Sequence, residues 1–177
     1  MPIYEFQGNA PKIDPGAFVH PLASIIGDVQ IGARCYIGPF ASIRGDFGAI
    51  VIGEGSNVQD GCTLHVGHGR RCELEPTSHV GHGAVVHGAF LRRNTLIGMN
   101  AVIMDDAVIG ESSIVAACAF VKAGWEVPPG CLVAGIPARV VRQLEEGERE
   151  GKATATRKYQ ELAVACLSTL REVKTSP

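Results

Sequence analysis

The stretch LRRNTLIGMNAVIMDDAVIGESSIVAACAFV, Leu91–Val121, repeats itself every six residues. Leu91, Ile97, Ile103, Ile109, Val115 and Val121 stand at successive sixth positions, and every one is aliphatic. Four residues after an anchor the side chain is small: Thr95, Ala101, Ala107, Ser113, Ala119. A six-residue period matches neither the 3.6-residue turn of a helix nor the two-residue alternation of a long strand. It fits short strands joined by tight corners, three strands to a coil, with the anchors stacked inside a triangular prism.

The same period extends toward the N-terminus. It runs through Val19, Ile25, Ile31, Ile37 and Ile43, resumes at Ile52, Val58 and Leu64, and resumes again at Leu74, Val80 and Val86. Ala23, Cys35, Ala41, Ser56, Cys62 and Ala84 fill the small positions. Glycine often follows the anchor, at Gly32, Gly38, Gly53, Gly81, Gly98 and Gly110, where it is expected to ease the corners. The class predicted is all-β, a parallel β-helix of hexapeptide repeats. Three extra residues lie between Ile43 and Ile52, around Asp46–Gly48; four lie between Leu64 and Leu74, through His68, Gly69 and Arg70; one is missing between Val86 and Leu91. Both insertions are predicted to leave the scaffold as loops, where binding groups tend to sit. Residues 1–135 are read as the β-helix with its N-terminal cap, and 136–177 as a C-terminal segment. That segment is expected to carry an amphipathic helix over Thr156–Val173, packed along the prism by Tyr159, Leu162, Ala163, Cys166, Leu170 and Val173.

Bulk properties narrow the function. The 177 residues suit one domain, and a net charge of −2 gives no basic footprint for nucleic acid. No apolar run approaches the roughly 20 residues of a membrane span, and MPIYEFQGNAPKI lacks a basic stretch followed by an apolar one. The six cysteines form no CxxC pair, so neither a zinc knuckle nor a redox motif is indicated, and a reduced, cytoplasmic protein is expected.

The histidines are concentrated: His65, His68, His79, His82 and His87 fall within one short region. His65 follows the anchor Leu64 and His87 follows Val86, so both take the outward slot of the second face in adjacent coils, with Arg44 one coil earlier. Adjacent coils lie about 4.8 Å apart. Two imidazoles stacked in this way can converge on one metal, with bonds of about 2.0–2.1 Å. His82 sits two residues past its anchor, at the corner between the first and second faces. A separation of five residues spans up to ~16 Å, a long reach for His82 and His87 to share an ion within one chain. A second subunit could instead supply His82, and rotational symmetry would repeat the site. His68 and His79 lack the register and are expected to be solvated, as is His20.

The runs RGDFG (Arg44–Gly48), NVQDGCTLH (Asn57–His65) and GHGAVVHG (Gly81–Gly88) resemble the γ-class carbonic anhydrases, and within them the PaaY branch of phenylacetate degradation. MPIYEF, RRNTLIGMNAVIMD and SIVAACAFVKA carry the resemblance over nearly the whole chain. It implies a left-handed coil and a homotrimer. It also implies one divalent metal per interface, zinc foremost with iron or cobalt as alternatives, held by His65 and His87 of one subunit and His82 of the next. By the same resemblance, Arg44 and Asp46 pair across the interface, Asp60 belongs to that interface, and Gln59 lies beside the metal's solvent. Asn100, one coil past His82, is a candidate catalytic residue or a plain corner asparagine. The chain departs from the family's pattern at Phe47, where an acidic proton shuttle can stand, and in the short basic loop VGHGRRCELEP.

Losing shuttle carboxylates works against rapid hydration of carbon dioxide, which must export a proton at each turnover. The function expected is metal-dependent hydrolysis of acyl-CoA thioesters from aromatic-acid catabolism, by a metal-activated water. A γ-type carbonic anhydrase and a non-catalytic scaffold subunit are the alternatives. An acyltransferase of this fold would not need three converging ligands. Arg70/Arg71 and Arg92/Arg93 are candidates to meet CoA phosphates.

Overall fold

The computed structural model describes residues 2–174. Each aliphatic anchor is paired with an anchor one coil away. On the first face Val19, Ile37, Val58, Val80, Ile97, Val115 and Val133 stand in parallel register. On the second, Ile25, Ile43, Leu64, Val86, Ile103 and Val121 do the same. Ile13, Ile31, Ile52, Leu74, Leu91, Ile109 and Val127 make the third. The result is a left-handed parallel solenoid of about seven turns with a single C-terminal helix. The anchors form its dry axis: Ile37, Ile43, Leu64, Leu74, Leu91, Ile97, Ile103 and Ile109 are wholly buried, and so are Cys35, Cys62, Ala84, Ala101 and Ala107 at the small positions. Burying each large anchor contributes about 1.5–3 kcal/mol, and the contacts are shared with the coil above and below.

The corners work differently from the sequence expectation. The left-handed residue falls three positions after the anchor and is often not glycine: Arg34, Phe40, Thr77, Asn94, Asn100, Asp106, Ser112 and Cys118 all have φ between 55° and 64°. Such residues cost on the order of 1–2 kcal/mol each, and the interstrand ladder holds them in place. Asn100 N, for instance, donates to the His82 carbonyl at 2.9 Å, and Cys118 N to that of Met99 at 2.9 Å. The glycines next to the anchors serve close approach instead. A Cβ on Gly53 would lie 2.6 Å from the Pro76 nitrogen, so a side chain there would push two coils apart.

The first insertion is not a loop. Ser42–Ile52 is one continuous strand that rounds the corner, pairing with Thr63–His65 on the second face and Arg71–Leu74 on the third. It stays extended because the strand Ser24–Ile31 in the preceding coil is extended alongside it, with the register shift absorbed between Gly27 and Val29. The second insertion does leave the scaffold at residues 66–70 and rests on the bent strand, Gly69 N donating to the Phe47 carbonyl at 2.9 Å.

The helix spans Glu146–Thr169, starting ten residues before the predicted Thr156 and ending before Val173. A capping box sets its start: Glu148 reaches back to the Glu145 N–H at 3.0 Å and is itself held by Arg142. Its packed face is Lys152, Thr156 and Ala163, with Tyr159 and Cys166 half-buried against Phe18 and Tyr36. Leu162, Leu170 and Val173, expected on that face, are exposed. Two polar residues on the buried face hid it from an apolar count. Lys152 Nζ donates to the Thr77 carbonyl and to Asn94 Oδ1, and Gln160 Nε2 to the Gly55 carbonyl, so the helix is tied to successive corners.

Burial brings the Lys152 ammonium down to about 7, and burial with Lys152 nearby brings His79 down to about 4. The unfolded chain keeps both protons to higher pH, so stability should rise with pH across each interval. Denaturant melts should show one rise from about pH 4 to 6.5 and a second from about pH 7 toward 9. Above that the buried Cys35 and Cys62 thiols, pushed up to about 11, keep protons the unfolded chain has lost, and the slope reverses. Lys152→Met should abolish the second rise; a variant that keeps it would refute the assignment.

Candidate metal centre

The parallel register places His87 opposite His65, and His65 opposite Arg44, on the second face. The side chains converge as well. His65 Nδ1 lies 3.1 Å from His87 Nε2, with ring centroids 5.1 Å apart. Two nitrogens bound tetrahedrally to one ion at 2.0–2.1 Å stand about 3.3 Å apart, so the pair fits a shared metal.

The remaining ring nitrogens are each turned to a carboxylate. His65 Nε2 meets Asp46 Oδ1 at 3.1 Å, and His87 Nδ1 meets Asp105 Oδ1 at 2.9 Å. His82 Nδ1 lies 3.4 Å from Asp60 Oδ2. A carboxylate on one imidazole nitrogen fixes the ring's tautomer and leaves the other lone pair available, the arrangement usual behind metal-binding histidines. Burial would raise the Asp46 carboxyl, but its bonds from Arg44 and His65 hold it below the usual range. Burial lowers His65, against the opposing pull of Asp46, which favours the neutral imidazole a metal needs.

His82 is not brought to this pair. It sits half-exposed at the corner between the first and second faces, and among the described residues no three metal-type side chains are placed to hold one ion within a single chain. Leu22, Phe40 and Met99, all exposed, occupy the same corner in other coils. Arg44 and Asp46, implied to pair across subunits, already pair with each other at 2.6 Å within the chain. Gln59 is buried, its amide donating to Asn57 Oδ1 at 3.0 Å and lying 2.6 Å from His79 Nε2, so within the chain it serves a different cluster. His79 itself, expected in solvent, is 8% exposed, with its ring on the edge of Tyr159 beneath the helix. Asn100 takes the left-handed corner position one coil past His82, against Gly83.

Phe47 stacks on His68 with centroids 3.9 Å apart and lies 5.5 Å from the His65 ring, so an aromatic wall stands where an acid was possible. Of the arginines considered for CoA phosphates, Arg70 is paired with Asp106, Arg71 with Glu73 and Arg92 with Glu75. Sequence reasoning missed Asp105. It stands two residues past the anchor Ile103, one place beyond the register partner of His87, and lies against Gly88, where a Cβ would be 2.5 Å from Asp105 Oδ1.

The family model described as bacterial transferase hexapeptide (six repeats) matches residues 10–45 and 88–123. The carnitine operon protein CaiE of Salmonella agona is 49% identical over 174 residues, covering 98% of this chain and 88% of that protein. The Escherichia coli K12 protein of the same name is 47% identical over 174 residues, covering 98% and 89%. The chain belongs to the CaiE family of hexapeptide-repeat proteins. A hexapeptide transferase family protein of Anaplasma phagocytophilum shares the structure with a TM-score of 0.88 and 33% identity, over 92% of this chain and 96% of that one. A Bacillus cereus protein provisionally described as an acetyltransferase reaches a TM-score of 0.92 at 36% identity, over 94% and 96%. The family is thus the hexapeptide-repeat group, and these relatives carry the carnitine-operon name in place of the phenylacetate one. No helix among the described residues is long and apolar enough to cross a membrane.

Two substitutions examine the centre. Asp105→Asn should weaken metal binding by about 10- to 100-fold with the fold intact, read by competition with a chelator. His82→Ala should empty the metal from purified protein while melting like the parent; wild-type metal content in that variant would remove His82 from the ligand set.

Proposed function

We propose that the chain forms a homotrimer that holds a divalent metal, zinc foremost, at each subunit interface and hydrolyses acyl-CoA thioesters there. The observation that carries this reading is the pairing of His65, His82 and His87 each with its own carboxylate, two of the imidazoles being 3.1 Å apart. The exposed apolar corner of Leu22, Phe40 and Met99 supports assembly, since it carries His82 outward on a surface suited to burial against a second copy.

When bound, a divalent ion supplies Lewis acidity, activating water near neutral pH and stabilising negative charge on a carbonyl oxygen. The chain's own residues prepare that site. Asp105 keeps the His87 proton on Nδ1 and so presents Nε2. Asp46, fixed by Arg44, orients His65, and Asp60 stands 3.4 Å from His82 Nδ1. Phe47 and His68 wall the second face and keep bulk water from one side of the centre.

The aromatic Phe47 suits a slow hydrolase better than rapid carbon dioxide hydration, because no carboxylate stands at its position to carry protons outward. The relatives' name turns the expected acyl group away from aromatic acids, toward CoA esters met in carnitine use. A second reading, acyl transfer from CoA to an acceptor other than water, is favoured by the Bacillus cereus neighbour described as an acetyltransferase.

Thiol release from a panel of acyl-CoA thioesters should appear with metal-loaded protein and fall at least 100-fold in His82→Ala. Acetyl transfer by metal-free protein to an added amine or hydroxyl acceptor would favour the transferase instead. Carbon dioxide hydration without thiol release would move the assignment to the carbonic anhydrase reading.

A further inference from the structure

A cleft away from the histidines lies between the C-terminal helix and the corner where the third face meets the first. Its cavity has a volume of about 430 Å³, the size of a small-ligand site. The prism side supplies Arg34, Arg93 and Glu111, with the corner residues Thr77, Asn94 and Ser112; the helix side includes Thr156 and Arg157. A second hollow of about 420 Å³ continues it, sharing Arg34, Arg157 and Gln160.

Two features set this cleft apart from an ordinary charged surface. Three guanidinium groups line it against the single carboxylate of Glu111. Arg34 is held by Glu54 at 2.9 Å, and Arg157 donates only to the Thr154 hydroxyl at 2.9 Å. Among the described residues neither Arg93 nor Arg157 has a carboxylate partner within ion-pair distance. The second feature is Thr156, which is 2% exposed, with a buried hydroxyl that has no hydrogen-bond partner. A buried hydroxyl without a partner is uncommon, because desolvation costs free energy that no bond returns. Behind the wall, Lys152 Nζ donates to the Thr77 carbonyl and to Asn94 Oδ1 and ties that corner to the helix.

Unpaired guanidinium groups and a free hydroxyl beside a cavity form the donor set for a phosphate, which accepts several hydrogen bonds and offsets two positive charges. We propose that this cleft binds a small phosphomonoester, with its phosphate facing Arg93, Arg157 and the Thr156 hydroxyl. The ligand's organic part would occupy the continuing hollow beside Gln160. The assignment is independent of the metal centre, since none of its residues takes part there.

The test is calorimetric titration of metal-loaded, full-length protein with inorganic phosphate, glycerol 3-phosphate and adenosine 5′-monophosphate, with glycerol and adenosine as uncharged controls. The phosphate compounds should bind saturably and the controls should not. Thr156→Val, which keeps the buried shape, and the exposed Arg157→Gln should each weaken binding about tenfold or more, while His82→Ala should leave it unchanged. Inorganic phosphate binding as tightly as its esters would name the free ion as the ligand, and tighter esters would assign the hollow to the organic part. The proposal falls if no phosphate compound binds wild-type protein. It also falls if binding survives both cleft substitutions, or disappears with His82→Ala because the anion sits on the metal.

Discussion

The stacking of one aliphatic anchor directly on another governs this molecule. Once Leu64 lies on Val86 and Ile43 on Leu64, every outward position on that face is fixed to the residue above and below it. A slip of one residue would put the whole anchor column into water and bring the histidines inside, so the cost of losing the buried column enforces the register. His65 and His87 meet because neighbouring hydrophobic side chains meet. The chemistry is carried by a geometry set for burial.

That dependence explains how much could be read from the chain. The three faces, and the slots of Arg44, His65 and His87, followed from counting in sixes, because a rigid period converts sequence position directly into spatial position. The readings that failed lie where counting stops. The extra residues around Asp46–Gly48 are expected to loop out, but an extended neighbouring strand gives them a place in one strand that rounds the corner. Apolar spacing points to a helix over Thr156–Val173, while the side chains that bury include Lys152 and Thr156, which answer to bonds and space at the corners. Register alone leaves His79 in solvent, because the helix that covers it lies some eighty residues further along the chain (Tyr159). Asp105 escapes the count because it stands one place beyond the residue opposite His87 in the register.

The electrostatic pattern of the second face is economical in a physical sense. His65 and His87 each have one nitrogen hydrogen-bonded to a carboxylate and one directed elsewhere, so their tautomer and orientation are set by the chain itself. Burial pushes His65 toward the neutral form, and the bonds from Arg44 and His65 hold the Asp46 carboxyl below its usual range. Preorganisation of this kind lowers the reorganisation needed on binding, and it rests on strands held rigid by the core beneath them.

The strand Ala138–Gln143 runs antiparallel to Cys131–Gly135 at the last rung of the first face, where all earlier rungs are parallel. A solenoid has two open ends, and each exposes a row of backbone groups able to accept another chain. Reversing the final rung gives the outermost edge the wrong polarity for a further parallel coil. That end of the axis therefore offers no template for another coil of the same kind, and the flanks of the prism are free of this restriction.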